Sequence, residues 1–179
     1  MLAVALGPGA STIVAGETGA AARTQAVGQT SIPPKPGSEA DVEFTLFLSG
    51  TRAGTERVRM ARAGSTWIIS STGQFGAPLN ITINRFEMKY TADWQPIELH
   101  IEAAQAGRPY ALATSFGMTT AINEITQNGT TTSKTDQVSV RTIVLPNSFY
   151  AGYEALAARL ADAQPGTELH AYVVPQSEV

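Results

Sequence analysis

From Asp41 onward the apolar residues recur with a period of two, the signature of strands with one buried face. Val42, Phe44, Leu46 and Leu48 alternate with Glu43, Thr45 and Phe47, and after a turn at residues 50–54 the chain returns over 56–62 with Val58 and Met60 inward. A second turn at Ala63-Gly64-Ser65 leads into Trp67-Ile68-Ile69-Ser70-Ser71. Leu79, Ile81 and Ile83 share a face, but beyond Arg85 the apolar phase passes to Phe86, Met88 and Tyr90. Side chains alternate strictly along a strand, so this shift predicts a bulge or a strand that changes faces. Ile97, Leu99 and Ile101 then form a strand with Glu98, His100 and Glu102 outward. Further strands are expected over 110–116, 120–127 and 138–145, with Asn128-Gly129 as the strongest hairpin signal.

One helix interrupts the pattern. Pro146 and a cap at Asn147 or Ser148 precede Phe149, Tyr153, Leu156 and Leu160, which fall on one face at helical spacing, and Gln164-Pro165-Gly166 stops the run. The spacing predicts a helix over 148–163 lying on the sheet. Leu169, Ala171 and Val173 alternate with His170 and Tyr172 in a last strand. The fold class expected is all-β: a curved antiparallel sheet, a half-barrel or barrel of clam-like form, with one C-terminal helix packed on it. There is no fixed-period repeat, which removes propellers and solenoids.

Two segments differ in composition. Residues 1–40 are rich in Ala, Gly, Thr and Pro and predict an extended N-terminal segment; 41–179 form a single β-rich domain. The opening Met1-Leu2-Ala3-Val4-Ala5-Leu6 looks like the end of an export signal and predicts an extracytoplasmic setting, periplasmic or secreted. No apolar run approaches the ~20 residues a bilayer-crossing helix needs, so the chain is not expected to span a membrane.

Composition narrows the chemistry. The 179 residues carry a net charge of −3, are 15% charged and contain no cysteine. A slightly acidic surface lacks the basic footprint of nucleic-acid binding. Without cysteine there is no thiol catalysis, disulfide or thiolate metal site.

The nucleophile-elbow pattern Gly-x-Ser-x-Gly and the phosphate-binding glycine loops are absent. His100 between Glu98 and Glu102 has a spacing that a metal would accept, and it is equally the alternation of a solvated strand face. Thr132-Ser133-Lys134 sets hydroxyls beside a lysine, but in a polar hairpin that keeps the lysine hydrated and protonated. No catalytic residue, metal or cofactor is therefore expected, nor enzymatic activity. Asn80-Ile81-Thr82 and Asn128-Gly129-Thr130 match the glycan acceptor pattern. Arg57 and Arg59 share an outer strand face, where they would clamp an anion or answer a carboxylate on the next strand. Trp67, Phe86, Tyr90, Trp94, Tyr110, Phe116, Phe149 and Tyr153 have the distribution of one shared core, or of the lining of an apolar cavity beneath the helix.

Three stretches carry a resemblance: residues 50–56 (Gly-Thr-Arg-Ala-Gly-Thr-Glu), 90–96 (Tyr-Thr-Ala-Asp-Trp-Gln-Pro) and 145–156 (Leu-Pro-Asn-Ser-Phe-Tyr-Ala-Gly-Tyr-Glu-Ala-Leu). Together they resemble the β-rich, non-catalytic region that precedes the α/β-hydrolase domain in some exported bacterial hydrolases and peptidases. The resemblance covers 41–176 and carries over no catalytic residue. The expected architecture is also similar to the open curved sheets of periplasmic lipoprotein carriers.

Three functions follow as expectations. The first is a non-enzymatic extracytoplasmic module that binds an apolar small molecule or a partner protein. The second, implied by the resemblance, is an accessory domain of a serine hydrolase or peptidase. The third is a self-assembling homo-oligomer whose residues 9–32 add as a strand to a neighbouring copy.

Overall fold

The computed structural model describes residues 3–4, 39–174 and 177–178. Its elements are β1 (Ala3–Val4), β2 (Ala40–Leu48), β3 (Thr51–Ala63), β4 (Thr66–Phe75), β5 (Ile81–Thr91), β6 (Pro96–Gln105), β7 (Arg108–Phe116), β8 (Thr120–Gln127), β9 (Thr130–Gln137), β10 (Ile143–Val144), α1 (Tyr153–Ala161), β11 (Ala171–Val173) and β12 (Ser177–Glu178). Strands β1 to β9 form one antiparallel sheet in chain order, and β10 to β12 a small second sheet. Among the described residues no ladder joins β9 to β1 or β2, so the large sheet is not closed. The fold is an all-β curved sheet with one short helix.

Tight turns impose the meander. Ser49-Gly50, Ala106-Gly107 and Asn128-Gly129 each place two successive residues at positive φ, between 50° and 81°. That is the geometry whose twist matches a two-residue hairpin, and glycine at the second position takes it without a Cβ clash. The expected bulge is present in β5. Asn84 is the extra residue: the register slips there against both β4 and β6, so Ile81 and Ile83 share the buried face with Phe86, Met88 and Tyr90.

A second slip corrects the reading of β6. Lys89 pairs with Glu98 while Tyr90 pairs with Pro96, which leaves Ile97 unmatched and 36% exposed rather than on the face of Leu99 and Ile101. The strand expected over 138–145 also moves. The ladder continues instead through Thr130–Gln137, a threonine-rich strand without apolar alternation, and only Ile143–Val144 remains of the later one.

The C-terminal segment covers the buried face of the sheet. Strand β10 pairs in parallel with β11, and α1 supplies the crossover that a parallel pair requires. Ile143, Val144, Phe149, Ala155, Ala158, Tyr172 and Val174 join the same core as Val58, Met60, Ile69, Phe86, Met88, Leu99 and Ile101.

The helix is shorter than 148–163. Ser148 sits at φ 68° and residues 146–152 form successive turns, so helical geometry begins only at Tyr153. Its buried residues are Ala155 and Ala158, whereas Tyr153 and Leu160 are 46% and 55% exposed. Small residues let the helix approach closely: a Cβ on Gly152 would stand 2.8 Å from the Val144 carbonyl oxygen. In β11 the buried phase is also the reverse of that expected. Tyr172 and Val174 point inward, and Leu169, Ala171 and Val173 are only half-buried.

Among the described residues no helix is long and apolar enough to cross a membrane. Ala3 and Val4 pair with Phe47 and Leu46 of β2; residues 9–32, to which strand exchange was assigned, lie outside the described residues.

Candidate functional site

Aromatic contacts fill the space between the sheet and the C-terminal segment. Phe149 stacks on Phe86 at 6.1 Å and receives Tyr110 edge-on at 6.4 Å. Trp67 stacks on Trp94 at 5.7 Å, Tyr90 tilts against Trp94 at 5.5 Å, and Phe116 meets Tyr172 edge-on at 6.1 Å. Of the eight aromatics singled out in the sequence, Trp67, Phe86, Tyr90, Trp94 and Phe149 are buried, while Tyr110 and Phe116 are half-buried against them. Tyr153 alone stands apart from this packing.

Polar contacts lock the cover at three places. The Tyr90 hydroxyl accepts a hydrogen bond from the Val144 amide at 3.1 Å, and burial pushes its pKa well above the ordinary tyrosine range. Burial likewise pushes the Tyr110 hydroxyl up to about 12. At the β9 end, Asn123 donates to the Tyr172 hydroxyl (2.7 Å) and to Asp136 (3.1 Å), and accepts from Thr114 (2.7 Å). The Tyr172 hydroxyl in turn donates to Asp136 at 2.7 Å. This closed set of partners explains why Tyr172 faces inward: a buried hydroxyl needs a partner, and the neighbouring positions of β11 offer none. Burial pushes Asp136 up, but Lys134 at 2.7 Å and the Tyr172 hydroxyl more than offset it, and its carboxyl lies below the ordinary range.

The third lock is Glu56. Period two places it in phase with Val58 and Met60, so its side chain enters the core, where it is fully buried. Its carboxylate accepts from the Ser71 hydroxyl at 2.5 Å and from the amides of Tyr150 and Ala151 at 2.9 and 3.3 Å. Desolvation pushes its pKa up from the ordinary carboxylate range, against the pull of those three donors. Gly73 lies opposite on β4; a Cβ there would stand 3.0 Å from the Glu56 Cα and 2.7 Å from the Thr55 carbonyl oxygen.

Beside this lock lies an open cleft of about 130 Å³, lined by Phe44, Thr45, Leu46, Glu56, Phe75, Tyr150 and Tyr153. Phe75 meets Tyr150 edge-on at 5.6 Å and Tyr150 stacks on Tyr153 at 6.2 Å, so rings of differing orientation form its walls. The wall surface is almost wholly apolar, because the carboxylate oxygens are occupied by their donors. No family model, curated protein or solved structure matches this chain.

The other sequence candidates are engaged within the sheet. Arg57 holds Asp41 through two hydrogen bonds of 3.0 and 3.1 Å on an exposed face, which keeps the Asp41 carboxyl below its ordinary range; Arg59 adds only its field. Glu98, at 2.6 Å from Lys89, and Glu102, at 3.6 Å from Arg85, are both answered by β5 cations, and His100 lies 3.7 Å from Glu98. Among the described residues no group of three His, Asp or Glu is placed to hold a metal. Ser133 and Lys134 are successive strand residues and point to opposite faces, which prevents them from acting as a pair. Asn80 and Asn128, the two glycan acceptor positions, are exposed at turns.

Sequence reading missed Phe44, Leu46, Glu56, Phe75 and Tyr150 as a group. Glu56 had a usable signal, since a charged residue in phase with two inward apolar ones marks a buried, partnered acid.

Proposed function

We propose that the protein is a non-enzymatic binding module whose site is the cleft between β2, β4 and the turn before α1. The observation that carries this reading is an open hollow with almost wholly apolar walls, four of whose seven lining residues are aromatic. Its size limits the ligand. Drug-sized ligands occupy roughly 300–1,000 Å³, and a dry cavity of about 150 Å³ takes benzene or xenon. At about 130 Å³ the cleft takes one ring or one branched alkyl head. Titrating full-length protein with fluorobenzene, followed by ¹⁹F and amide NMR, is expected to give saturable binding with shifts confined to Phe44, Leu46, Phe75 and Tyr150. Shifts that do not saturate, or that centre on the Trp67–Trp94 pair, would remove the proposal.

A second reading is favoured by the pairing of Ala3–Val4 with β2. The same edge would accept an N-terminal strand from another copy and so build an oligomer. Light scattering of the full chain and of a chain lacking residues 1–31 separates the cases: a multimer that becomes a monomer on deletion supports exchange, and a monomer in both eliminates it.

A further inference from the structure

We propose that the exposed edge of β9 is a homodimer interface, at which a second copy of this chain adds its own β9 antiparallel and continues the sheet across a two-fold axis. This surface is separate from the cleft, which lies at the other side of the sheet beside β2.

Strand β9 ends the large sheet, and among the described residues it pairs with β8 alone. The opposite edge, at β2, is partly covered by β1. Past β9 the chain turns away: the Arg141 amide donates to the Gln95 side chain and its guanidinium to the Asp93 carbonyl, both in the turn between β5 and β6.

The hairpin turn fixes which backbone groups face outward. Asn128-Gly129 is a two-residue loop, and the residues that flank such a loop, here Gln127 and Thr130, bond to each other. Alternation then turns the N–H and C=O of Thr132, Lys134 and Asp136 toward β8, and those of Thr131, Ser133, Thr135 and Gln137 outward. The Val138 amide, next in the even phase, does bond back, to the Thr119 carbonyl at 3.0 Å. The outward groups lie on a strand with no proline and no register slip, exposed throughout save for Asp136. Its one lysine is neutralised by Asp136 at 2.7 Å. Such an edge lacks the usual devices that keep another strand away.

Charge chooses the occupant. Run antiparallel to itself about an axis at Thr135, β9 sets Lys134 opposite the partner's Asp136, and the symmetry repeats the pair. An axis at Lys134 or at Asp136 would oppose like charges, and one at Ser133 would set both charges against threonines. Ile122 supports the same axis. It pairs with Thr135 on the outer face of the sheet and is 46% exposed, so the two-fold places both copies of Ile122 in one cross-strand row with the two Thr135 side chains between them.

Sedimentation equilibrium of the full chain over a range of concentrations, joined to amide exchange by NMR, tests the proposal. A reversible dimer is expected. As concentration rises, exchange at Ser133, Thr135 and Gln137 should slow, while Thr132 and Lys134, already bonded to β8, should change little. Ser133→Pro removes an outward N–H and no bond to β8, and should weaken the dimer about tenfold or more. Lys134→Glu, which turns the cross-strand pair into a repulsion, should weaken it as well. A chain that stays monomeric at every concentration, or a dimer whose three outward amides exchange as fast as in the dilute chain, would overturn the proposal. Concentration-dependent protection along Ala40–Leu48 instead would assign the contact to β2 and overturn it too.

Discussion

Replacing Glu56 with alanine is expected to lower stability by about 3–5 kcal/mol and to release the C-terminal segment before the sheet melts. The substitution strands the Ser71 hydroxyl and the amides of Tyr150 and Ala151, all gathered at one buried acid. Each buried donor left without a partner costs roughly 1–3 kcal/mol, which exceeds what is recovered by no longer desolvating a carboxylate. Urea unfolding followed by the fluorescence of Trp67 and Trp94 measures the loss, and amide exchange over 143–174 locates it. A loss below about 1 kcal/mol would show that water replaces the carboxylate at little cost.

The pH dependence of this lock has a definite sign. Burial raises the Glu56 pKa in the folded state, so the folded protein holds that proton more tightly than the unfolded chain does. The stability Glu56 contributes therefore grows as pH falls from the raised value toward the ordinary 4.5, and is smallest above both. The stability of wild type relative to Glu56→Gln should therefore rise as pH falls over that interval. Asp136 acts in the opposite sense: its lowered pKa contributes stability that is present above 3.8 and is lost as pH falls through the folded value. A wild type that loses stability relative to Glu56→Gln on mild acidification would contradict the description of Glu56 as a desolvated acid.

Phe149→Ala is expected to cost about 3–5 kcal/mol, the usual range for removing a buried phenyl ring. The ring is buried between Phe86 of β5 and Tyr110 of β7, so its loss opens a cavity between the sheet and the turn that precedes α1. Because Phe149 adjoins the Tyr150 and Ala151 amides that Glu56 holds, the two substitutions report on one contact region. The double variant should lose less than the sum of the singles. Strict additivity would mean that the ring and the acid hold the cover independently.

Much of the sheet was legible because its determinants are local. Asn128-Gly129 specifies a turn by backbone sterics alone, and the phase shift at Asn84 follows from alternation that any reader of the sequence can count. The cover was less legible because its packing is set by distant partners. Phe149, Tyr153, Leu156 and Leu160 form a convincing helical stripe, yet α1 turns its alanines to the sheet, since close approach favours small side chains where Phe149 and Tyr172 already fill the volume. Tyr172 faces inward on account of Asn123 and Asp136, which lie 49 and 36 residues away. The same limit applies to the cleft. Phe44, Phe75 and Tyr150 come from β2, β4 and a turn, and no spacing in the chain announces their meeting.

Among the described residues, an open apolar hollow lies beside the Glu56 lock, and its capacity to take up an apolar guest is what the proposed function requires. Crystals pressurised with xenon test it most directly, since xenon settles in apolar hollows of this size and scatters strongly enough to be placed. A xenon atom is expected among Phe44, Leu46, Phe75 and Tyr150. Xenon absent there, or found instead between Phe86 and Phe149, would contradict it.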